Sequence, residues 1–194
     1  MTAGLQVLET EGWDGFTISA VAARAGVGRA MVHRRFKDKD ALLVALHAQF
    51  GEQIRTEFLP RYRAVARSDR DLDDLVEALI GELSATFRSR EGLMRFFISR
   101  ARVDERLAAS ADREVRVVAL EWEHALLAHR AEFRCANPEL AVTISFQLAF
   151  DSFVALLEGG SRSHPELSWD TLTRELSVVT LAYLRTEPVG EVHT

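Results

Sequence analysis

The chain has a single cysteine, Cys135, so no intrachain disulfide can form and a reducing cytoplasm is the expected setting. No sequence neighbour marks that thiol as a nucleophile, and a lone cysteine most often packs as a small hydrophobe. There is no glycine-rich phosphate loop and no Gly-x-Ser-x-Gly elbow, so no enzyme chemistry and no cofactor are expected. No signal peptide is visible at the N-terminus. The longest weakly charged run, 140–157, contains Thr143, Ser145, Gln147, Asp151 and Ser152, which suits a buried helix better than a membrane span; no membrane partner is expected. No period-two alternation and no internal repeat is found, which leaves an all-α fold of about nine helices.

Lysine is nearly absent too, and its placement is informative. The only two, Lys37 and Lys39, join Arg24, Arg29, Arg34 and Arg35 within residues 17–50, where Asp38 and Asp40 are the only acids; this segment carries +4. The whole chain has a formal net charge of -5, with -3 on residues 1–16 and -6 on residues 51–194. Basic charge is thus concentrated in one short stretch, and an acidic body would discourage DNA from binding elsewhere. A hydrophobic fraction of 47% supports a packed core, and 194 residues admit a small domain followed by a larger one.

Within the basic stretch, Ile18, Val21, Ala22 and Ala25 recur at helical spacing behind Thr17, a natural N-cap. Gly26 follows, where a helix end calls for positive φ. On the next short helix Val32 and Phe36 share an inward face. At about 100° per residue, Ala30 and Arg34 then point outward, flanked by Met31 and His33, with Arg29 and Arg35 at the margins. A small residue beside an arginine on an exposed cationic helix suits a DNA major groove. Arginine pairs with guanine O6 and N7, alanine permits close approach, and flanking cations meet phosphates.

Thr17, Val21-Ala22, Ala25-Gly26-Val27, Phe36, Lys39 and Leu42-Leu43 stand at spacings that resemble the DNA-binding domain of the TetR family of transcriptional regulators. The likeness covers roughly the first quarter of the chain. It departs at His33, where that family usually has tyrosine, and at Gly28, where it usually has a small polar residue. The resemblance implies a three-helix helix-turn-helix reader over residues 1–50 and a helical effector-binding and dimerisation domain over 51–194. It further implies a cytoplasmic, homodimeric repressor that binds double-stranded DNA at an inverted-repeat operator and responds to a small-molecule effector of largely apolar character. Arg34 is then expected to read a base, and Thr17, Arg29, His33, Arg35 and Lys39 to meet the backbone beside Ala30 and Met31. Such proteins usually begin with additional, often basic, residues, whereas the first cation here is Arg24. A helical ligand-sequestering or protein-interaction module with a decayed reader is therefore the rival expectation.

Further along, Asp38 is expected to cap a helix through Leu42, Leu46, Phe50 and Ile54 that Pro60 kinks or ends. Leu72, Leu75, Val76, Leu79, Ile80, Leu83 and Phe87 form the cleanest amphipathic stripe. Residues 93–100 make a shorter helix. A long helix is expected from Asp112 to about Phe133, with Val115, Val118, Trp122, Ala125, His129 and Phe133 on one stripe. Asn137-Pro138-Glu139 combines an N-cap, a proline at N1 and an acid in the first turn of a helix apolar nearly all round, closing at Gly159-Gly160. Ser168 caps a last helix that Pro188 follows.

Residues 55–165 are expected to hold a largely apolar cavity lined by members of Phe87, Phe96, Phe97, Trp122 and Phe150, with Arg95, Arg100 or His124 as a polar anchor. For any single ring, core packing is the commoner role. Leu140, Ile144, Leu148 and Ala155 with Leu172, Leu176 and Val179 are the candidate dimer surfaces, because a helix apolar all round needs partners on every side. Asp151 either pairs across an interface, faces a pocket or sits at a solvent edge. Glu121 and His124 have Glu-x-x-His spacing but lack a second copy on another helix, so no metal is expected.

Overall fold

Residues 2–159 and 167–187 of the computed structural model are described here; Gly160, Pro188 and the Glu191–His193 tail lie outside them. Every regular element among these residues is helical. In chain order they are α1 (Thr2–Gly15), α2 (Ile18–Arg24), α3 (Arg29–Arg35), α4 (Lys39–Ala66), α5 (Leu72–Ser89), α6 (Glu91–Ala101), α7 (Glu105–Leu127), α8 (Pro138–Leu157) and α9 (Trp169–Arg185), with a short 3-10 turn at Arg130–Glu132. Two compact units are formed. The first comprises residues 1–56 and 90–114, the second 57–89 and 115–194, so the unit that contains the basic stretch is larger than the first 50 residues.

The first unit is built around Leu5, Leu8, Phe16, Val21, Leu42, Leu43, Leu46 and Phe50, joined by Leu93, Phe97 and Leu107 from α6 and α7. In α1 the backbone breaks at Gly12, φ 66°. Asp38 caps α4 as expected, its Oδ1 accepting from Ala41 N at 2.8 Å. Pro60 does not end that helix, which runs on to Ala66.

In the second unit the expected α5 stripe is buried from Leu72 to Phe87, and α5, α8 and α9 pack on one another. Caps mark the starts of α8 and α9. Asn137 accepts from Leu140 N at 3.0 Å, and Ser168 accepts from Thr171 N at 3.1 Å. By length and composition alone α8 could cross a membrane, but Ala141, Val142, Ser145, Phe146, Ala149 and Phe153 bury one side of it in this unit.

The expected bounds of α7 are corrected at both ends. It starts at Glu105 because Asp104 Oδ1 accepts from the amides of Arg106 and Leu107, at 3.0 and 3.4 Å. It stops at Leu127, short of His129 and Phe133, and the chain beyond it is tied elsewhere: Arg134 N and Cys135 N both donate to the Leu184 carbonyl, at 3.0 and 3.2 Å.

Candidate nucleic-acid interface

The helix-turn-helix is shaped by local backbone chemistry. Thr17 is extended and its Oγ1 accepts from Ala20 N at 3.0 Å, which satisfies one of the free amides at the start of α2 and leaves the hydroxyl proton free to donate. At the other end Gly26 takes φ 67°, and Val27 N reaches back to the Ala22 carbonyl at 3.0 Å. That bond closes the helix and aims the chain into α3.

Val32 alone is buried on α3, while Phe36 beyond its end is half-buried. Arg29, Ala30, Met31, His33, Arg34 and Arg35 are all exposed, as the helical spacing implies. No acid lies on this helix. Arg29 Nε donates to His33 Nε2 at 3.4 Å, and Arg35 rests 5.6 Å from the Phe36 ring centroid. Arg34 forms no side-chain hydrogen bond or ion pair with any described residue, and it stands on the outward face beside Ala30, one turn earlier. The surface therefore offers an exposed guanidinium fork on an acid-free helix, an arrangement compatible with pairing to a planar, two-acceptor group.

Lys39 is placed differently from an ordinary surface cation. Its Nζ donates to the Trp13 carbonyl at 2.8 Å and lies 3.6 Å from the Trp13 ring centroid. Arg100 of α6 touches the same indole at 4.4 Å. Burial pulls the Lys39 pKa below its usual value; Asp14 and Asp40 push the other way, and Arg100 adds to the lowering. Neither Trp13 nor its link to Lys39 is foreshadowed by spacing, since 26 positions separate them.

The rings expected around an effector are divided between the units. Phe96 and Phe97 belong to the first, where Phe97 stacks on Phe50 at 5.2 Å and Phe96 lies 6.0 Å from Trp13. Phe87, Trp122 and Phe150 belong to the second and interlock: Phe87 meets Phe150 at 5.3 Å, Trp122 meets Phe146 at 5.8 Å, and Phe146 meets Phe150 at 5.8 Å. Trp122 Nε1 donates to Ser145 Oγ at 3.1 Å. Of the candidate anchors, His124 is exposed, Arg95 pairs with Glu91 at 2.5 Å, and Arg100 is on Trp13. A residue not singled out by the sequence is Tyr62 in the second unit. Its hydroxyl is buried with no hydrogen-bond partner among the described residues, and burial, then Glu121, pushes its pKa well up. Glu121 itself pairs with Arg63 at 2.6 Å.

Leu140, Ile144 and Leu148 are 52%, 41% and 42% exposed on α8, with Ala155 exposed on the same helix. A groove there is lined by Ile144, Gln147, Leu148, Asp151, Ser152 and Ala155. Asp151 is exposed at this groove and accepts from Gln147 Nε2 at 2.7 Å. On α9 the stripe is split: Val179 is exposed, Leu172 half-buried, and Leu176 turned inward within the protomer. Among the described residues no cluster of three or more histidine, cysteine, aspartate or glutamate side chains could hold a metal ion.

A capped helix, a positive-φ glycine turn and an exposed cationic second helix define a helix-turn-helix. Residues 1–46 match the family model described as bacterial regulatory proteins of the tetR family. The whole chain has the fold of TetR-family regulators. A crystal structure of a TetR-family transcriptional regulator from Mesorhizobium loti aligns over 94% of this chain and 92% of that one, with a TM-score of 0.73 at 18% identity. A transcriptional regulator from Rhodococcus sp. aligns over 94% and 92%, with 0.67 at 19%. The fatty acid degradation regulator FadR from Bacillus halodurans aligns over 95% and 97%, with 0.63 at 16%. No curated protein matches the sequence.

Proposed function

We propose that the protein is a cytoplasmic, ligand-responsive transcriptional repressor that binds a palindromic operator as a homodimer. The observation that carries this reading is the acid-free α3 surface on which Arg34 stands exposed and unpaired beside Ala30. Arg34 reads a base; Ala30 and Met31 lie against the groove; Thr17, Arg29, His33, Arg35 and Lys39 meet backbone phosphates. An intact cap and turn favour a working reader over a decayed one.

The effector is a largely apolar small molecule bound in the second unit. Phe87, Trp122 and Phe150 are its apolar walls, and it parts rings that touch one another in the free protein. Tyr62, a buried phenol lacking a partner, is the polar anchor, since an unsatisfied buried hydroxyl is costly until a ligand pairs with it. Neighbours in fold include proteins named as regulators of fatty acid degradation and fatty acid metabolism and one named as flavonoid-responsive. The exposed apolar residues of α8 and α9 support the dimer, which sets two α3 helices about 34–36 Å apart on DNA. Binding of a labelled duplex from immediately upstream of the protein's own gene tests the reading. Dimer-stoichiometric, sequence-selective binding, released by a long-chain fatty acid or a flavonoid, is expected. Equal affinity for that duplex and a scrambled one would count against an operator there.

A further inference from the structure

We propose that Trp13 is the positioning residue for Lys39: its indole face and carbonyl hold the ammonium at the head of α4, where it receives a nucleic-acid phosphate. This rests on the DNA-binding reading above. Lysine in the first turn of a helix is opposed by the helix dipole, and a free lysine stem samples many rotamers. Within α4 only Asp40 favours the charge, and it forms no ion pair with Lys39. Trp13 supplies what α4 lacks, through the 2.8 Å bond to its carbonyl and the 3.6 Å approach to its ring.

The berth is built and not incidental. Trp13 follows the Gly12 break and is held between Phe16 at 5.9 Å and Phe96 at 6.0 Å. With one of its three N–H groups on the carbonyl and another toward the ring, the ammonium keeps a donor for an anion. Although Asp14 and Asp40 are close enough to act on its charge, Lys39 forms no ion pair with any described carboxylate, so no acid has taken the place of a phosphate. Arg100 occupies the same indole, with its Nε buried and without a hydrogen-bond acceptor among the described residues. Two cations on one ring repel, and an incoming phosphate relieves both. An aliphatic side chain at position 13 would fill the space but offer no negative ring face.

The test is binding of a random-sequence duplex of about 30 base pairs across a salt series, which reads phosphate contacts without needing the operator. Trp13→Leu and Lys39→Ala should each weaken binding several-fold and lower the log–log salt slope by about one. The double variant should be no weaker than Lys39→Ala, and Trp13→Phe should recover most of the slope. Fluorinated tryptophan, which drains the ring face with little change of shape, covers the case in which Trp13→Leu fails to fold. Its incorporation should weaken binding progressively in the wild type and not in Lys39→Ala. Multiplicative losses in the double variant, or a fluorination series that is flat or independent of Lys39, overturn the proposal while leaving DNA binding intact. A wild-type protein that binds no duplex at low salt overturns both.

Discussion

At the scale of single residues, the side chains that face outward from α3 were legible because 3.6 residues per turn decides the matter once Val32 is inside. What Lys39 touches was not, because its partner lies on another helix and no spacing rule connects them. Arg34→Ala should cost about 1–3 kcal/mol on the preferred sequence and relax preference at one base pair, read as the ratio of specific to random-duplex affinity. Equal losses on both would assign Arg34 to the backbone. His47 offers a pH prediction. It is buried, 3.1 Å from Ser110 Oγ and 5.0 Å from the Phe97 ring, and its pKa is depressed by burial first and by Arg113 second. The unfolded chain therefore binds a proton near 6.5 that the folded chain resists, so stability from this group is complete above that value and is lost as pH falls below it. Thermal melts at a series of pH values should fall more steeply on the acid side for wild type than for His47→Gln; parallel curves would remove His47 from the account.

At the scale of elements, starts and stops with local causes were read from the sequence, and those with distant causes were not. Thr17, Asp38, Asn137 and Ser168 all cap as their positions imply. The end of α7 falls short of the expected one because the segment after it answers to the Leu184 carbonyl, and at Pro60, where a kink or an end was open, α4 runs on to Ala66. Two glycines in the reader separate conformational demand from space. An added Cβ would meet nothing within 4 Å at either Gly26 or Gly28, but only Gly26 has positive φ. Gly26→Ala should therefore cost about 1–2 kcal/mol through the backbone alone. Gly28→Ser, at an extended N-cap with no side-chain bond, should stabilise by about 0.3 kcal/mol by supplying the missing acceptor. Urea unfolding compares the two, and a neutral Gly26→Ala would show that the turn relaxes.

At the scale of the molecule, the all-helical architecture follows from patterning, whereas the split of the aromatic residues does not: an apolar stripe looks the same whichever unit it enters. Phe96 and Phe97 went to the first core, and Leu176 turned inward, so it is a poor probe of assembly. Leu148, 42% exposed on α8, is the better one. Leu148→Glu should give a folded monomer by sedimentation, since two symmetry-related carboxylates would be desolvated at one contact, and a variant that remains dimeric would place the interface elsewhere. The central claim is that this chain reads DNA sequence through α3. The most direct measurement is selection of bound sequences from a random duplex pool with wild type and with Arg34→Ala, followed by salt-controlled affinities. The account predicts one inverted repeat enriched by the wild type, bound as a dimer, with a base position in each half-site degenerate in the variant; enrichment of no sequence, or the same repeat recovered undiminished with Arg34→Ala, would contradict it.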